Sequence, residues 1–189
     1  MRALVWRGVE EWLAEHAQVD LVEDGVLAAG VQLGVEPEPY LVEYRLEAPS
    51  DWITRRLDVE ASGAGWRRSL SLEHDGHGRW TADGERVPDV DGALDCDLAF
   101  SPLTNVMPIL RHDLHDRAES RDFVMAWVSV PDLQVHCSPQ RYEHVRPGVV
   151  RYVALDGDFT AELELDADGL VVRYPRLAER VAPGRMIGR

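Results

Sequence analysis

The sequence predicts an all-β protein, built on a large curved antiparallel sheet or an open barrel, with little helix. Short runs rich in Val, Leu, Tyr and Trp recur along the chain, divided by Gly, Pro and Asp clusters, which is the rhythm of hairpins. Within the runs, apolar and polar residues alternate singly, so one face of each strand is buried and the other wetted. Asp-Gly pairs stand between successive runs and supply the positive φ that tight turns need.

Taken in order, residues 12–23 and 25–33 flank Glu23-Asp24-Gly25 as a first hairpin. The preceding Glu10 to His16 region reads as a short helix or as the start of a strand. Tyr40 to Leu46 alternates, and Arg55 to Ala61 places Leu57, Val59 and Ala61 on one face. Residues 66–72 and 79–82 surround the turn-forming His74-Asp75-Gly76-His77-Gly78. A linker at 83–92, with turn formers and little apolar mass, divides two sheet halves. Asn105 to Leu114 predicts a turn or two of helix, interrupted at Pro108. In the last hairpin Phe159, Ala161, Leu163 and Leu165 alternate with polar residues, and Asp168-Gly169 turns the chain into Leu170 to Tyr174. About ten strands result, in a single β domain over residues 1–189.

The chain has 189 residues, 45% of them apolar and 29% charged, the balance of a globular protein. A domain of this length buries roughly 70% of its unfolded surface, so stability demands no cofactor, metal or disulfide. The net charge of −14 argues against nucleic acid as a partner, since that affinity comes from neutralising phosphates. Residues 1–100 hold 21 acids against 9 arginines, whereas Arg173 to Arg189 hold five arginines and one acid. A basic tail is an ordinary solvated end, and it leaves peripheral contact with an anionic membrane surface as an alternative. Cys96 and Cys137 are the only cysteines and fit a reducing compartment. Charges at Arg7, Glu10 and Glu11 break up any signal-peptide core, and no apolar run approaches the ~20 residues of a transmembrane segment. The protein reads as cytoplasmic.

Several chemistries find no motif. There is no phosphate loop following a strand, no nucleophile elbow and no zinc helix. Residues 164–169 imitate half a calcium loop, but the twelfth position is Pro175 instead of a bidentate Glu. His74 with His77, and His112 with His115, are spaced i, i+3, but no third ligand is fixed beside them, so they read as loop histidines and no metal site is assigned. Asp95 and Asp97 bracket Cys96, and in a strand their carboxylates project to one side. Such a pair can serve as an acid and a base or can hold a wet face together.

Residues 97–111, Asp-Leu-Ala-Phe-Ser-Pro-Leu-Thr-Asn-Val-Met-Pro-Ile-Leu-Arg, resemble the signature of the putative glycolipid-binding family of bacterial proteins. The likeness extends along nearly the whole chain: Trp6, residues 51–55, Gly78-Arg79-Trp80, Val130-Pro131, Gln140-x-Tyr142, Arg151-Tyr152, residues 157–161 and residues 168–175 fall in family order. The resemblance implies a single β domain with a curved antiparallel sheet, similar in outline to bacterial lipoprotein carriers, and brings no catalytic residues. Leu103, Val106, Met107 and Leu110 depart from the pattern, Leu110 standing where the family has the first arginine of an Arg-Arg pair.

Together with that resemblance, residue chemistry predicts a binding protein for a glycolipid or other lipid-like small molecule held in the concave face of the sheet. Six tryptophans suit sugar stacking and acyl-chain packing alike. Trp52, Arg55, Asn105, Arg111 and Tyr142 are the candidate residues at the polar end, with apolar burial supplying affinity. Asn105 and Arg111 either face a ligand or tie their proline-bounded loop to Asp95 or Asp97. The alternative function is a small-molecule enzyme, an isomerase, cyclase or hydrolase, with Asp95 or Asp97 as acid or base and Arg111 as anion stabiliser.

Overall fold

The computed structural model describes residues 1–181. Its N-terminal half contains β1 (Arg2–Gly8), β2 (Leu13–Val22), β3 (Gly25–Gly34), β4 (Tyr40–Ala48), β5 (Arg56–Gly63), β6 (Trp66–His74), β7 (Trp80–Ala82) and β8 (Glu85–Arg86). The C-terminal half contains β9 (Asp95–Leu98), β10 (Ser120–Val128), β11 (Val135–Arg146), β12 (Val149–Ala154), β13 (Thr160–Leu165), β14 (Val171–Tyr174) and β15 (Ala178–Arg180). The helix α1 (Val106–Arg111) follows β9 after a 3-10 turn at Leu103–Asn105.

All these strands belong to one open sheet, ordered from β8 down to β1, then β15 down to β9. The first and last strands therefore pair at its middle, with Trp6 opposite Arg180. The consecutive strands β8 and β9 stand at its two edges. Laid flat, fifteen strands would separate those edges by roughly 65 Å, yet the eight residues Val87 to Leu94 reach at most about 28 Å. The sheet must curl, and the returning segment is fastened where it lands: Trp80 Nε1 donates to the Ala93 carbonyl at 2.9 Å and the Thr54 amide to the Leu94 carbonyl at 3.1 Å.

Period-two burial explains the strands. In β4, Tyr40, Val42, Tyr44, Leu46 and Ala48 are buried while Glu43, Arg45 and Glu47 are exposed. Inward faces of β1 to β7 and the segment around residues 90–107 form one apolar cluster, and β10 to β14 with Ile109 and Leu114 form a second. The 83–92 linker contributes more than expected, because Val90 is fully buried in the first cluster.

The expectation of about ten strands is too low, since β7, β8, β9, β14 and β15 have only two to four residues, too few to display alternation. β9 also pairs parallel with β10, the one departure from antiparallel order among the described residues. Residues 13–16 are strand, not helix. Pro108 does not interrupt its helix: it lies in the first turn of α1, where an amide has no intrahelical partner to lose. The basic stretch from Arg173 begins as paired sheet, with Arg180 bonded to Asp166 and to the carbonyls of Leu170 and Val171. Its residues 182–189 lie outside the described residues. Among the described residues no helix is long and apolar enough to cross a membrane.

Candidate functional site

Asp95 and Asp97 leave β9 on the same side, while Cys96 enters the first core, as strand alternation requires. Their fates differ. Asp95 is 1% exposed and receives both terminal nitrogens of Arg111, at 2.5 and 2.6 Å. Burial pushes its carboxyl above the ordinary value and the guanidinium opposes that rise; the two-pronged pairing keeps it charged. Arg111 Nη1 also donates to the Trp52 carbonyl at 3.2 Å. Trp52 holds φ 54°, an uncommon backbone conformation for a bulky side chain.

Asp97 is held by neutral donors. Thr104 Oγ1 donates to it at 2.8 Å and Gln140 Nε2 at 2.7 Å. Burial raises its pKa, those donors lower it, and Asp95 raises it further. Tyr142, buried in β11, lies between the amide oxygens of Asn105 and Gln140, 2.9 and 3.1 Å from its hydroxyl. Asn105 Nδ2 in turn donates to the Pro102 carbonyl at 3.1 Å. The 101–105 segment is thus tied to β11 through side chains.

Asp97 and Asn105 sit in the lining of a cavity of about 380 Å³ whose walls include Phe100, Trp127, Tyr152, Phe159 and Tyr174. Sheet order assembles these rings from distant positions. Trp127 is the register partner of Asp97, and Tyr152 is that of Tyr142. The Tyr152, Phe159 and Tyr174 centroids are 5.9 to 6.1 Å apart, within the range of favourable ring contacts. Phe100 holds φ 65° and also lines an adjoining cavity of about 160 Å³ with Leu13, Phe159, Arg176 and Leu177.

A separate opening of about 730 Å³ is lined by Asp95, Arg111, His112, Arg121, Phe123 and Arg141. Its arginines are already paired, Arg111 with Asp95, Arg121 with Glu119 and Arg141 with Asp122.

The five residues expected at one polar end therefore divide. Asn105 and Tyr142 touch each other, and Arg111 touches the Trp52 backbone. Arg55 lines neither opening; its guanidinium lies against Gly76. His74 is a satisfied core group. Its Nδ1 is 3.0 Å from the Thr54 carbonyl, its Nε2 accepts the Gly78 amide, and its ring stacks on Trp80. Burial lowers its pKa, which fits a neutral ring protonated on Nδ1. Among the described residues no group of three His, Cys, Asp or Glu side chains is arranged to hold a metal. The half calcium loop has other partners, for Asp166 and Asp168 both bond Arg2.

Sequence reasoning missed Glu15. It is fully buried in β2, and its Oε1 accepts from Tyr44 at 2.5 Å and Ser101 at 2.8 Å. Tyr44 reaches it from β4 across β3, where only a glycine, Gly30, leaves room for the ring. Gln32 Nε2 donates to the Ala99 carbonyl at 3.2 Å, so residues on both sides of Phe100 are moored to the N-terminal half. Among the described residues Glu15 Oε2 and Gln32 Oε1 have no hydrogen-bond partner, and burial pushes the Glu15 carboxyl up to about 7 against the opposing hydrogen bonds of Tyr44, Ser101 and Gln32. The available signal was a lone acid on the Leu13, Ala17, Val19 face.

Residues 3–180 match the model of the family described as "Putative glycolipid-binding". The chain belongs to this family. Among solved structures, this glycolipid-binding family member is similar to a DUF1089 family protein from Pseudomonas aeruginosa, whose crystal structure was determined at 1.80 Å resolution. The two chains are 31% identical, the match covers 93% of this chain and 95% of the other, and the TM-score is 0.80. No curated protein matches the chain. Leu103, Val106 and Met107 are buried in the first core and Leu110 packs against it. Arg111, which follows them, is the partner of Asp95.

Proposed function

We propose that this member of the glycolipid-binding family binds an amphiphilic, lipid-like small molecule bearing a sugar-sized polar headgroup, and that the headgroup seats in the aromatic cavity above Asp97 and Asn105. The observation that carries this reading is the lining: five aromatic rings around the hydrogen-bonding side chains of Asp97, Ser101 and Asn105, a combination that stacks on a ring and fixes its hydroxyls. At about 380 Å³ the cavity is near the lower end of small-molecule sites, ~300–1,000 Å³, which suits a headgroup better than an acyl chain. The adjoining space beside Leu13, Phe159 and Leu177 is the natural exit for an apolar tail.

In this reading Asn105 contacts the ligand and Tyr142 positions Asn105. Trp52 and Arg111 hold the helix behind the site, and Arg55 plays no part. A reducing, cytoplasmic setting agrees with two unpaired thiols. The test is mass spectrometry of an organic-solvent extract from untagged protein, compared with native spectra of the intact protein. A stoichiometric amphiphile lost on denaturation and absent from a Trp127→Ala variant is expected. A molecule retained equally by that variant would contradict the assignment of the cavity.

A further inference from the structure

Asp95 and Asp97 are two residues apart on one strand, yet only Asp95 has a counter-ion. Among the described residues Asp97 is bonded to Thr104 and Gln140, both neutral, and no cationic side chain acts on it. Its negative charge is felt at the phenols of Tyr142, Tyr152 and Tyr174. Asp97 is half-buried at the cavity wall, and a carboxylate partly withdrawn from water without a cation is costly, so proteins ordinarily pair such a group or neutralise it.

The walls facing Asp97 have a complementary property. Aromatic faces carry negative quadrupole potential and attract organic cations, Trp most strongly. Trp127 is the direct cross-strand neighbour of Asp97, and Phe100, Tyr152, Phe159 and Tyr174 complete the enclosure. The outer wall already binds a cation of the chain itself: the Arg176 guanidinium carbon is 5.1 Å from the Phe159 centroid. Arg176 pairs with Glu10 and lines the adjoining cavity, not this one. The net charge of −14 also favours the approach of cations over anions.

We infer that the aromatic cavity selects a positively charged headgroup, an organic ammonium that pairs with Asp97 while lying against Trp127 and its neighbouring rings. This rests on the cavity being the ligand site and specifies the class of ligand. The shared chemistry is a monocation of headgroup size, supplied either by a protonated amino sugar or by a quaternary ammonium.

The test is calorimetric titration of the full-length protein, slightly below neutral pH, with two matched pairs of soluble probes. One pair is glucosamine and glucose, the other choline and its neutral carbon isostere dimethylbutanol. Octyl glucoside serves as a neutral amphiphile. The cation of at least one pair should bind about tenfold or more tightly than its neutral partner. The pair that shows this identifies the source as amino sugar or quaternary ammonium. Asp97→Asn should bring the members of that pair within about twofold of each other, and Trp127→Leu, which leaves the carboxylate untouched, should cut the preference several-fold. If Asp97→Asn fails to fold, the wild-type comparison and Trp127→Leu decide the matter. Octyl glucoside binding with no preference for either cation overturns the ammonium assignment and leaves the cavity reading standing. Failure of every probe, octyl glucoside included, overturns both.

Discussion

Arg111, at the end of α1, lays its two terminal nitrogens on the two carboxylate oxygens of Asp95, 2.5 and 2.6 Å away. The pair joins the helix to the edge strand β9 and, through the Trp52 carbonyl, to the 51–55 turn. Arg111 is 11% exposed and Asp95 1%, so removal of one partner strands a buried charge. Arg111→Ala should destabilise the protein by about 3–5 kcal/mol, measured by urea denaturation. Adding Asp95→Asn should recover at least about 1 kcal/mol, since the stranded charge is then gone. An Arg111→Ala protein as stable as wild type would show that the pair is dispensable.

Glu15 gives the fold a pH dependence of definite sign. Its carboxyl titrates near 7 in the fold and near 4.5 in a free chain, so the native state binds the proton more tightly. Stability is then greatest below about 4.5, falls as pH rises through about 7, and levels off, with a total loss of up to roughly 3 kcal/mol. Glu15→Gln keeps the shape and removes the titration. Denaturant curves at about pH 5 and about pH 8 should show the variant gaining on wild type at the higher pH. An equal difference at both values would mean that Glu15 is ionised throughout.

Gly169 turns the chain between β13 and β14 at φ 76°. A Cβ there would stand 2.5 Å from Leu110 Cδ2, so this turn and the helix are fitted to each other. Gly169→Ala should cost about 1–2 kcal/mol from the backbone strain and the clash together. Adding Leu110→Ala should relieve the clash and leave the strain, read as a non-additive pair in thermal melts. Strict additivity would show that the two residues do not meet.

The hairpins were legible because Asp24-Gly25 and Asp168-Gly169 mark turns by local chemistry, and because alternation in β2 and β4 persists for eight or nine residues. The parallel pairing of β9 with β10 was not, since four residues leave no pattern and the partner strand begins more than twenty residues later. The signature segment was found, but the direction of each side chain was not. Arg55, near Trp52 in sequence, is turned toward Gly76, whereas Arg111 comes from 59 residues away to meet the Trp52 carbonyl. The aromatic walls escaped notice for the same reason: Trp127, Tyr152, Phe159 and Tyr174 come together only through sheet order. A lone buried acid such as Glu15 was readable in principle, as a charge on an otherwise apolar face.

The central claim is that the ligand occupies the aromatic cavity above Asp97 and Asn105. Heteronuclear NMR of the full-length protein titrated with octyl glucoside tests it most directly, because the indole N–H of Trp127 reports on this wall. Saturating shifts should concentrate at Phe100, Trp127, Asn105, Tyr152, Phe159 and Tyr174, and should vanish in Trp127→Ala. Shifts confined to Arg121, Phe123 and Arg141, around the larger opening, would contradict the account.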